Sequence, residues 1–460
     1  MDQLSRRRFI VGGGKGLLAM SFADAFLAAC TSDVGQEETG GTDLVLWLSN
    51  FDAAWTKWFQ ENIADGFNEA EPNYHIDVVS KPPESMASLL RTAMSAGQGP
   101  DLIPAGSPAA AGNFVEQDWV RPLDEYAQQY RWDDKFLGWA LDVGKVQDKL
   151  YSVPIVWESF LVLYNKQVFE DNGWSVPTTG AELEAIAAEA MGKGIVPFSA
   201  GNGEFPAATE WFVTNFFNHH AGPEALFQAL TTEIPFTDPV FVDAITRLND
   251  WFQNGWLGGG VERYFTNGFN DVYSALADGT AAMDMEGDWA VASMAEFFGD
   301  ANDNWDWFPI PPLRDGVPFP LYELGIGDTF SINAESASAD AAAVFLDWWF
   351  SQPQLAAKKM ADLVTDPWPI PIPESDFPPG LDPRFTEQYV ARVEATDEGN
   401  FGYTGYTFLG PKSYTYVFEE MEKVMTGGMT PAEYCQGLND IFQQEYADGR
   451  VPPVIPRETS

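Results

Sequence analysis

Residues 44–48 read LVLWL, a short apolar run with the character of a β-strand. Residues 55–67 then place a large apolar side chain at every fourth position, which predicts a helix. Residues 74–79 (YHIDVV) alternate as a second strand, residues 86–94 have helical spacing, and residues 100–103 (PDLI) indicate a third strand. This β-α-β-α-β order predicts an α/β fold with a mainly parallel sheet covered by helices.

Length and charge restrict the class of protein. The chain has 460 residues, of which 45% are hydrophobic, so it exceeds a usual single domain and two lobes are expected. Lys and Arg total 25 against 68 Asp and Glu, a formal charge of -43 at pH 7. Such a charge opposes binding to nucleic acid or to an anionic membrane surface through basic side chains.

The first thirty residues have the features of an export signal. Residues 5–10 (SRRRFI) resemble the twin-arginine signal, and a mostly apolar, glycine-rich stretch follows. Residues 27–30 (LAAC) resemble a bacterial lipobox, in which Cys30 would take a diacylglyceryl group. We expect residues 1–29 to be a removed lipoprotein signal and residues 30–42 a flexible tether from the extracytoplasmic face of the membrane. An ordinary secretion peptide with an incidental cysteine is the alternative.

Helix starts are marked further along the chain. Thr179 and Thr430 each precede a Glu three residues later, which is the pattern of a capping box. Asp238 precedes Pro239, a proline suited to the first helical turn. The proline-rich residues 367–383 predict a long loop that packs across a lobe.

Five short segments follow one another in order: DLVLWL (43–48), GQGPDLI (97–103), WVRPLDEY (119–126), LYSVP continuing to LYNK (150–166), and GTAAM through GDW (279–289). Together they resemble the extracellular solute-binding proteins of carbohydrate importers, the broad family that includes maltose-binding protein. Five segments in order at compatible spacing are hard to obtain by chance.

This resemblance implies a two-lobed periplasmic-binding-protein-like fold that closes around a ligand by hinge rotation. Lobe one is expected to hold residues 43–154 plus about 332–366. Lobe two is expected to hold residues 155–331 plus about 367–460.

The resemblance also implies where a ligand would bind. Trp289 is similar to the family's stacking tryptophan, and its alternative is a buried core indole. Glu158, beside Trp157, matches a position where relatives accept hydrogen bonds from sugar hydroxyls, and its alternative is an ion pair near the hinge. Flat aromatic faces and carboxylates are the two kinds of contact that sugars require.

The remaining candidates come from strand ends, crossings between lobes and late aromatic positions. Trp368 is expected either over the cleft or packed on a lobe. After Asp101, residues 104–108 (PAGSP) lack the side chains that maltose-binding proteins use there, which puts maltose itself in doubt. The candidates are Asn50, Ser107, Glu204, Trp211, Gly287, Asp288, Gly327, Asp328, Trp368 and Tyr414.

The function implied is a substrate-binding lipoprotein of an ABC importer. It would be a monomer that captures a neutral sugar or oligosaccharide and delivers it to permease subunits, with no cofactor and no metal. A secreted carbohydrate hydrolase with paired carboxylates is the competing hypothesis. The sequence contains no G-x-S-x-G motif, no complete phosphate-binding loop and no cysteine pair for a metal, so no catalytic residue is predicted.

Overall fold

A computed structural model describes residues 42–49, 53–379 and 381–457. The predicted signal, Cys30, nearly all of the predicted tether and the candidate Asn50 lie outside these residues.

Strands and helices alternate along most of the described chain. The strands are β1 (Thr42–Ser49), β2 (Tyr74–Lys81), β3 (Leu102–Ala105), β4 (Lys145–Val146), β5 (Lys149–Leu150), β6 (Val153–Pro154), β7 (Trp157–Glu158), β8 (Phe160–Asn165), β9 (Val196–Ser199), β10 (Ala281–Gly287), β11 (Trp305–Phe308), β12 (Tyr322–Ile326), β13 (Thr329–Ile332) and β14 (Phe401–Tyr403). The α-helices are α1 (Ala53–Phe59), α2 (Asp65–Ala70), α3 (Pro83–Ser95), α4 (Pro108–Glu116), α5 (Asp124–Tyr130), α6 (Lys166–Asn172), α7 (Gly180–Gly192), α8 (Ala208–Phe216), α9 (Pro223–Leu230), α10 (Pro239–Gln253), α11 (Val261–Tyr264), α12 (Phe269–Ala277), α13 (Val291–Phe298), α14 (Ala339–Phe350), α15 (Pro353–Leu363), α16 (Pro383–Asp397), α17 (Gly405–Phe408), α18 (Pro411–Met425) and α19 (Pro431–Ala447).

The first sheet has the strand order β2-β1-β3-β13-β6. Strand β1 pairs in parallel with β2 and β3, as predicted from the β-α-β-α-β order. Leu44, Leu46 and Leu48 are buried at alternate positions of β1, as the period of two in a strand requires. Strand β13 joins antiparallel to β3 and to the edge strand β6, so the sheet is mixed.

The second sheet has the order β11-β8-β10-β9, and a small third sheet has the order β14-β12-β7. Strand β10 lies antiparallel to β8 and parallel to β9. All residues of β10 are buried because its two faces are covered.

Predicted helix starts occur where the sequence marks them. Capping boxes are present at Thr179 and Thr430, which are the N-cap residues of α7 and α19. Asp238 caps α10, and its Oδ1 accepts a hydrogen bond from the Val240 amide at 3.1 Å. These caps satisfy amide groups that a helix leaves unpaired at its first turn.

Candidate functional site

Two chain segments run side by side between the first and third sheets. Residues 155–156 connect β6 to β7, and residues 327–328 connect β12 to β13. The Ile155 amide donates to the Asp328 carbonyl at 2.9 Å, and β7 pairs antiparallel with β12. This pairing brings four of the candidates together, namely Trp157, Glu158, Gly327 and Asp328.

The Glu158 carboxylate lies directly over Gly327. A β-carbon at position 327 would stand 2.1 Å from Glu158 Oε1, so a larger residue there would displace this side chain. Burial, and then the negative charges of Asp288 and Asp328, hold the pKa of Glu158 well above its ordinary value. Burial also raises the pKa of Asp328 to about 6, although Lys359 opposes the shift. These carboxyl groups are costly to ionise without a polar partner.

The Trp289 indole folds back over the end of β10. A β-carbon at Gly287 would lie 2.0 Å from Trp289 Cζ3, so glycine leaves the space that the indole occupies. Trp289 Nε1 donates to Glu286 Oε1 at 2.9 Å, which fixes the orientation of the ring. The ring is half-buried, and its centroid lies 5.0 Å from that of Trp211 and 5.6 Å from that of Phe160. The position is therefore neither a free surface tryptophan nor a fully buried core indole.

Asp288 has both carboxylate oxygens engaged by protein groups. Its Oδ1 accepts from the Ser159 amide at 3.1 Å, and its Oδ2 forms an ion pair with Arg392. Asp288 and Arg392 are each 1% exposed. Both carboxylate oxygens of Asp288 therefore have partners within the protein, and these contacts hold the neighbouring residues.

A buried lysine and a buried tyrosine beside these carboxylates were not predicted. Lys359 is 3% exposed, and its Nζ donates to the Asp366 carbonyl at 2.7 Å. Burial lowers the pKa of Lys359, whereas the charges of Asp366 and Asp328 oppose that shift. The Tyr406 hydroxyl would be 2.4 Å from a β-carbon at Gly325, so it lies against the third sheet.

The sequence holds little signal for either residue. Lysines on amphipathic helices such as α15 usually face water, so Lys359 could not be distinguished from Lys358 beside it. Tyr406 belongs to the aromatic, glycine-containing residues 401–408 (FGYTGYTF), which could have drawn attention to this segment.

The candidate Tyr414 lies close enough to Glu158 to be affected by the charge of its carboxylate. It lies on the first turn of α18 and is half-buried. Burial, followed by the charges of Glu210 and Glu158, raises the pKa of the Tyr414 hydroxyl.

Two other candidates, Ser107 and Glu204, accept hydrogen bonds from amide groups at the starts of helices. Ser107 is 1% exposed and caps α4, since its Oγ accepts from the Ala110 amide at 3.0 Å. Glu204 is exposed, and its Oε2 accepts from the Phe269 amide at 3.0 Å at the start of α12. The contacts of both side chains are those of helix caps.

Trp368 is 1% exposed and packs in the core beside the first sheet. Its ring centroid lies 5.6 Å from that of Trp349 and 6.5 Å from that of Trp58. Of the two positions expected for Trp368, the structure has the packed one. Trp349 and Trp58 both belong to segments expected in lobe one, whereas Trp368 itself was expected in lobe two, which was to begin again at about residue 367.

Within the described ranges, no group of three or more His, Cys, Asp or Glu side chains is arranged to hold a metal ion. The same part of the chain has no helix whose length and apolar character would let it cross a bilayer.

The model of the bacterial extracellular solute-binding protein family matches residues 52–356. The chain belongs to this family. The resemblance to the solute-binding proteins of carbohydrate importers is thereby confirmed.

Two curated relatives show the range of this similarity. A maltotriose-binding protein from Pyrococcus abyssi is 25% identical over 334 residues, which cover 71% of this chain and 67% of that protein. An osmoprotective compounds-binding protein from Synechocystis is 26% identical over 275 residues, which cover 57% of this chain and 63% of that protein. The aligned segments thus span roughly two thirds of these relatives. Both names denote binding proteins and not enzymes.

Solved structures share the fold. A chitin oligosaccharide binding protein superposes with a TM-score of 0.73 at 20% identity, covering 88% of this chain and 99% of that one. A receptor from Streptomyces glaucescens, solved unliganded and with acarbose, superposes with a TM-score of 0.67 at 19% identity, covering 88% and 98%. The predicted two-lobed α/β fold is confirmed.

Proposed function

We propose that this protein is the substrate-binding subunit of an ABC importer and that it captures a neutral sugar or oligosaccharide. The observation that carries the proposal is the Trp289 indole, seated on Gly287 and held through Nε1 by Glu286. A half-buried indole held in one orientation offers a flat apolar face, which suits the C-H face of a pyranose ring.

The polar groups nearby support a ligand rich in hydroxyl groups. Glu158 on β7 and Asp328 on the adjacent crossing segment are acceptors, and Asp288 is neutralised by Arg392. A strongly anionic ligand would add charge to a region where Glu158 already has a raised pKa because of burial and neighbouring carboxylates. The maltotriose and chitin oligosaccharide named for the relatives are uncharged, hydroxyl-rich carbohydrates of this kind.

Export and anchoring belong to the same proposal. We infer that the protein is carried by a twin-arginine signal and held at the extracytoplasmic face through a lipid on Cys30. The motifs at residues 5–10 and 27–30 support this, because they occur in the order that export and lipidation require.

A carbohydrate panel tests the binding proposal. Isothermal calorimetry and thermal melting would be run with maltotriose, diacetylchitobiose and raffinose, and with an anionic oligosaccharide as the matched control. A neutral sugar should raise the melting temperature and remain intact after incubation. Released hydrolysis products would instead support the hydrolase hypothesis. If only the anionic compound bound, the neutral-sugar proposal would fail.

A further inference from the structure

Arg392 is a buried cation in the middle of α16 and lies C-terminal to the segment that carries the family match. Its side chain is 1% exposed. A guanidinium this deeply buried is expensive unless charged and polar partners surround it, so its contacts indicate what it stabilises.

The partners of Arg392 come from two separate elements. Its NH1 group forms an ion pair with Asp288 and donates to the Trp157 carbonyl at 3.3 Å. The guanidinium also lies over the Trp157 ring, with Cζ 4.3 Å from the ring centroid. One side chain therefore holds the residue after β10 and the first residue of β7.

Each partner is the immediate neighbour of a proposed ligand contact. Asp288 precedes Trp289, and Trp157 precedes Glu158. Asp288 is further tied to the link between β7 and β8, because its amide donates to the Ser159 carbonyl at 3.0 Å and its Oδ1 accepts from the Ser159 amide at 3.1 Å. Arg392 and Ser159 thus link the backbone next to Trp289 with the backbone next to Glu158.

We propose that Arg392 is a positioning residue for ligand binding, which sets the Trp289 indole and the Glu158 carboxylate relative to each other without touching the ligand. This inference rests on the proposed function. It adds a determinant of affinity on a helix that sequence analysis did not connect with the site. Arginine suits the role because its planar group can bond a carboxylate and stack on an indole at the same time.

The same helix provides a matched control. Arg384 also lies on α16, stacks over Trp305 with Cζ 3.7 Å from the ring centroid, and pairs with Asp382 at 2.7 Å. It bonds the carbonyls of Asn302 and Trp305 and does not contact the candidate site. Arg392→Lys and Arg384→Lys each remove a guanidinium that lies over a tryptophan ring and pairs with an aspartate, but only the first acts on Asp288 and Trp157.

The decisive measurement needs no ligand. The protein would be labelled with 5-fluorotryptophan, and the fluorine resonance of Trp289 would be assigned from its absence in Trp289→Phe. Arg392→Lys should shift or broaden that resonance, whereas Arg384→Lys should leave it in place. Calorimetry with maltotriose should then show at least roughly tenfold weaker binding for Arg392→Lys than for Arg384→Lys.

The other possible results also test the role of Arg392. An unchanged Trp289 resonance in Arg392→Lys, or equal changes in both variants, would overturn the positioning role. If Arg392→Lys does not fold, Asp288→Asn replaces it, since this variant keeps an acceptor for Ser159 but removes the charge that pairs with Arg392. If wild type binds no neutral oligosaccharide, the proposed function fails, while the resonance test still decides the role of Arg392.

Discussion

The buried carboxyl group of Glu210 makes a quantitative prediction about stability. Glu210 lies on α8 and is 1% exposed. Its Oε1 accepts from the Gly405 amide at 2.9 Å and from the Thr214 hydroxyl, whereas its Oε2 has no hydrogen-bond donor in the described part of the chain. Burial raises the pKa of Glu210 from an ordinary 4.5 to about 7, although these hydrogen bonds act in the opposite direction.

The sign and size of the effect follow from proton linkage. Between pH 4.5 and pH 7 the unfolded chain releases the Glu210 proton and the folded chain keeps it, so this group makes the protein less stable as pH rises. At about 1.4 kcal/mol per pKa unit, the interval from 4.5 to about 7 corresponds to about 3 kcal/mol above pH 7. The glutamine in Glu210→Gln cannot ionise, so the variant should not lose this stability as pH rises.

Urea unfolding of wild type and Glu210→Gln between pH 5 and pH 8.5 measures the difference. From pH 5 to pH 8.5 the free energy of unfolding of the variant should rise by roughly 2 to 3 kcal/mol relative to that of wild type. This change is expected whatever the difference between the two proteins is at pH 5. Glu433→Gln is a flat control: hydrogen bonds from Thr430 lower the pKa of Glu433 below its ordinary 4.5, so this group is ionised in both states between pH 5 and pH 8.5, and the difference between this variant and wild type should stay nearly constant.

A constant difference between wild type and Glu210→Gln at every pH would refute this reasoning. Such a result would have a physical cause in a cavity of about 20 Å³ beside Glu210, which is lined also by Thr214 and Thr404. It can hold one water molecule, which could keep the carboxylate solvated.

Trp289→Ala should weaken binding of the best panel sugar by roughly 1 to 3 kcal/mol in calorimetry, with a smaller loss for Trp289→Phe; unchanged affinity would exclude the stacking role. Gly287→Ala should cause a comparable loss because its β-carbon would displace the indole, and native-like melting of the variant would show that the fold is kept. Cys30→Ala should move the protein from the membrane fraction to the soluble fraction, so identical fractionation of variant and wild type as soluble protein would contradict the lipid anchor. Replacing both Arg6 and Arg7 by lysine should block export, and normal export would indicate another route.

The local features of the fold were predictable from the sequence because they depend on nearby residues. The strand–helix alternation of residues 42–105 and the capping boxes at Thr179 and Thr430 follow from periodicity and from side chains three residues apart. The antiparallel entry of β13 beside β3 was not predictable in this way. It joins strands more than 200 residues apart, and no local pattern encodes such a partner.

The candidate site shows the same division. Gly287 and Trp289 were identified through a motif, and the structure adds that the indole occupies the space a side chain at 287 would fill. Asp288 was expected to contact a ligand, yet its oxygens bond Ser159 and Arg392. A carboxylate in a sequence does not reveal which donor will reach it, since that donor comes from a distant helix.

The sequence by itself determined the α/β class, the family resemblance and the segments in which a binding site had to be sought. These properties arise from hydrophobic period, caps and short motifs, which act over a few residues. Only the tertiary structure decided that Glu204 and Ser107 cap helices, that Trp368 is packed in the core, and that Lys359 and Arg392 lie among the carboxylates of the site. Burial and charge pairing depend on which distant elements meet: Arg392 on α16 reaches Asp288, more than 100 residues earlier in the chain.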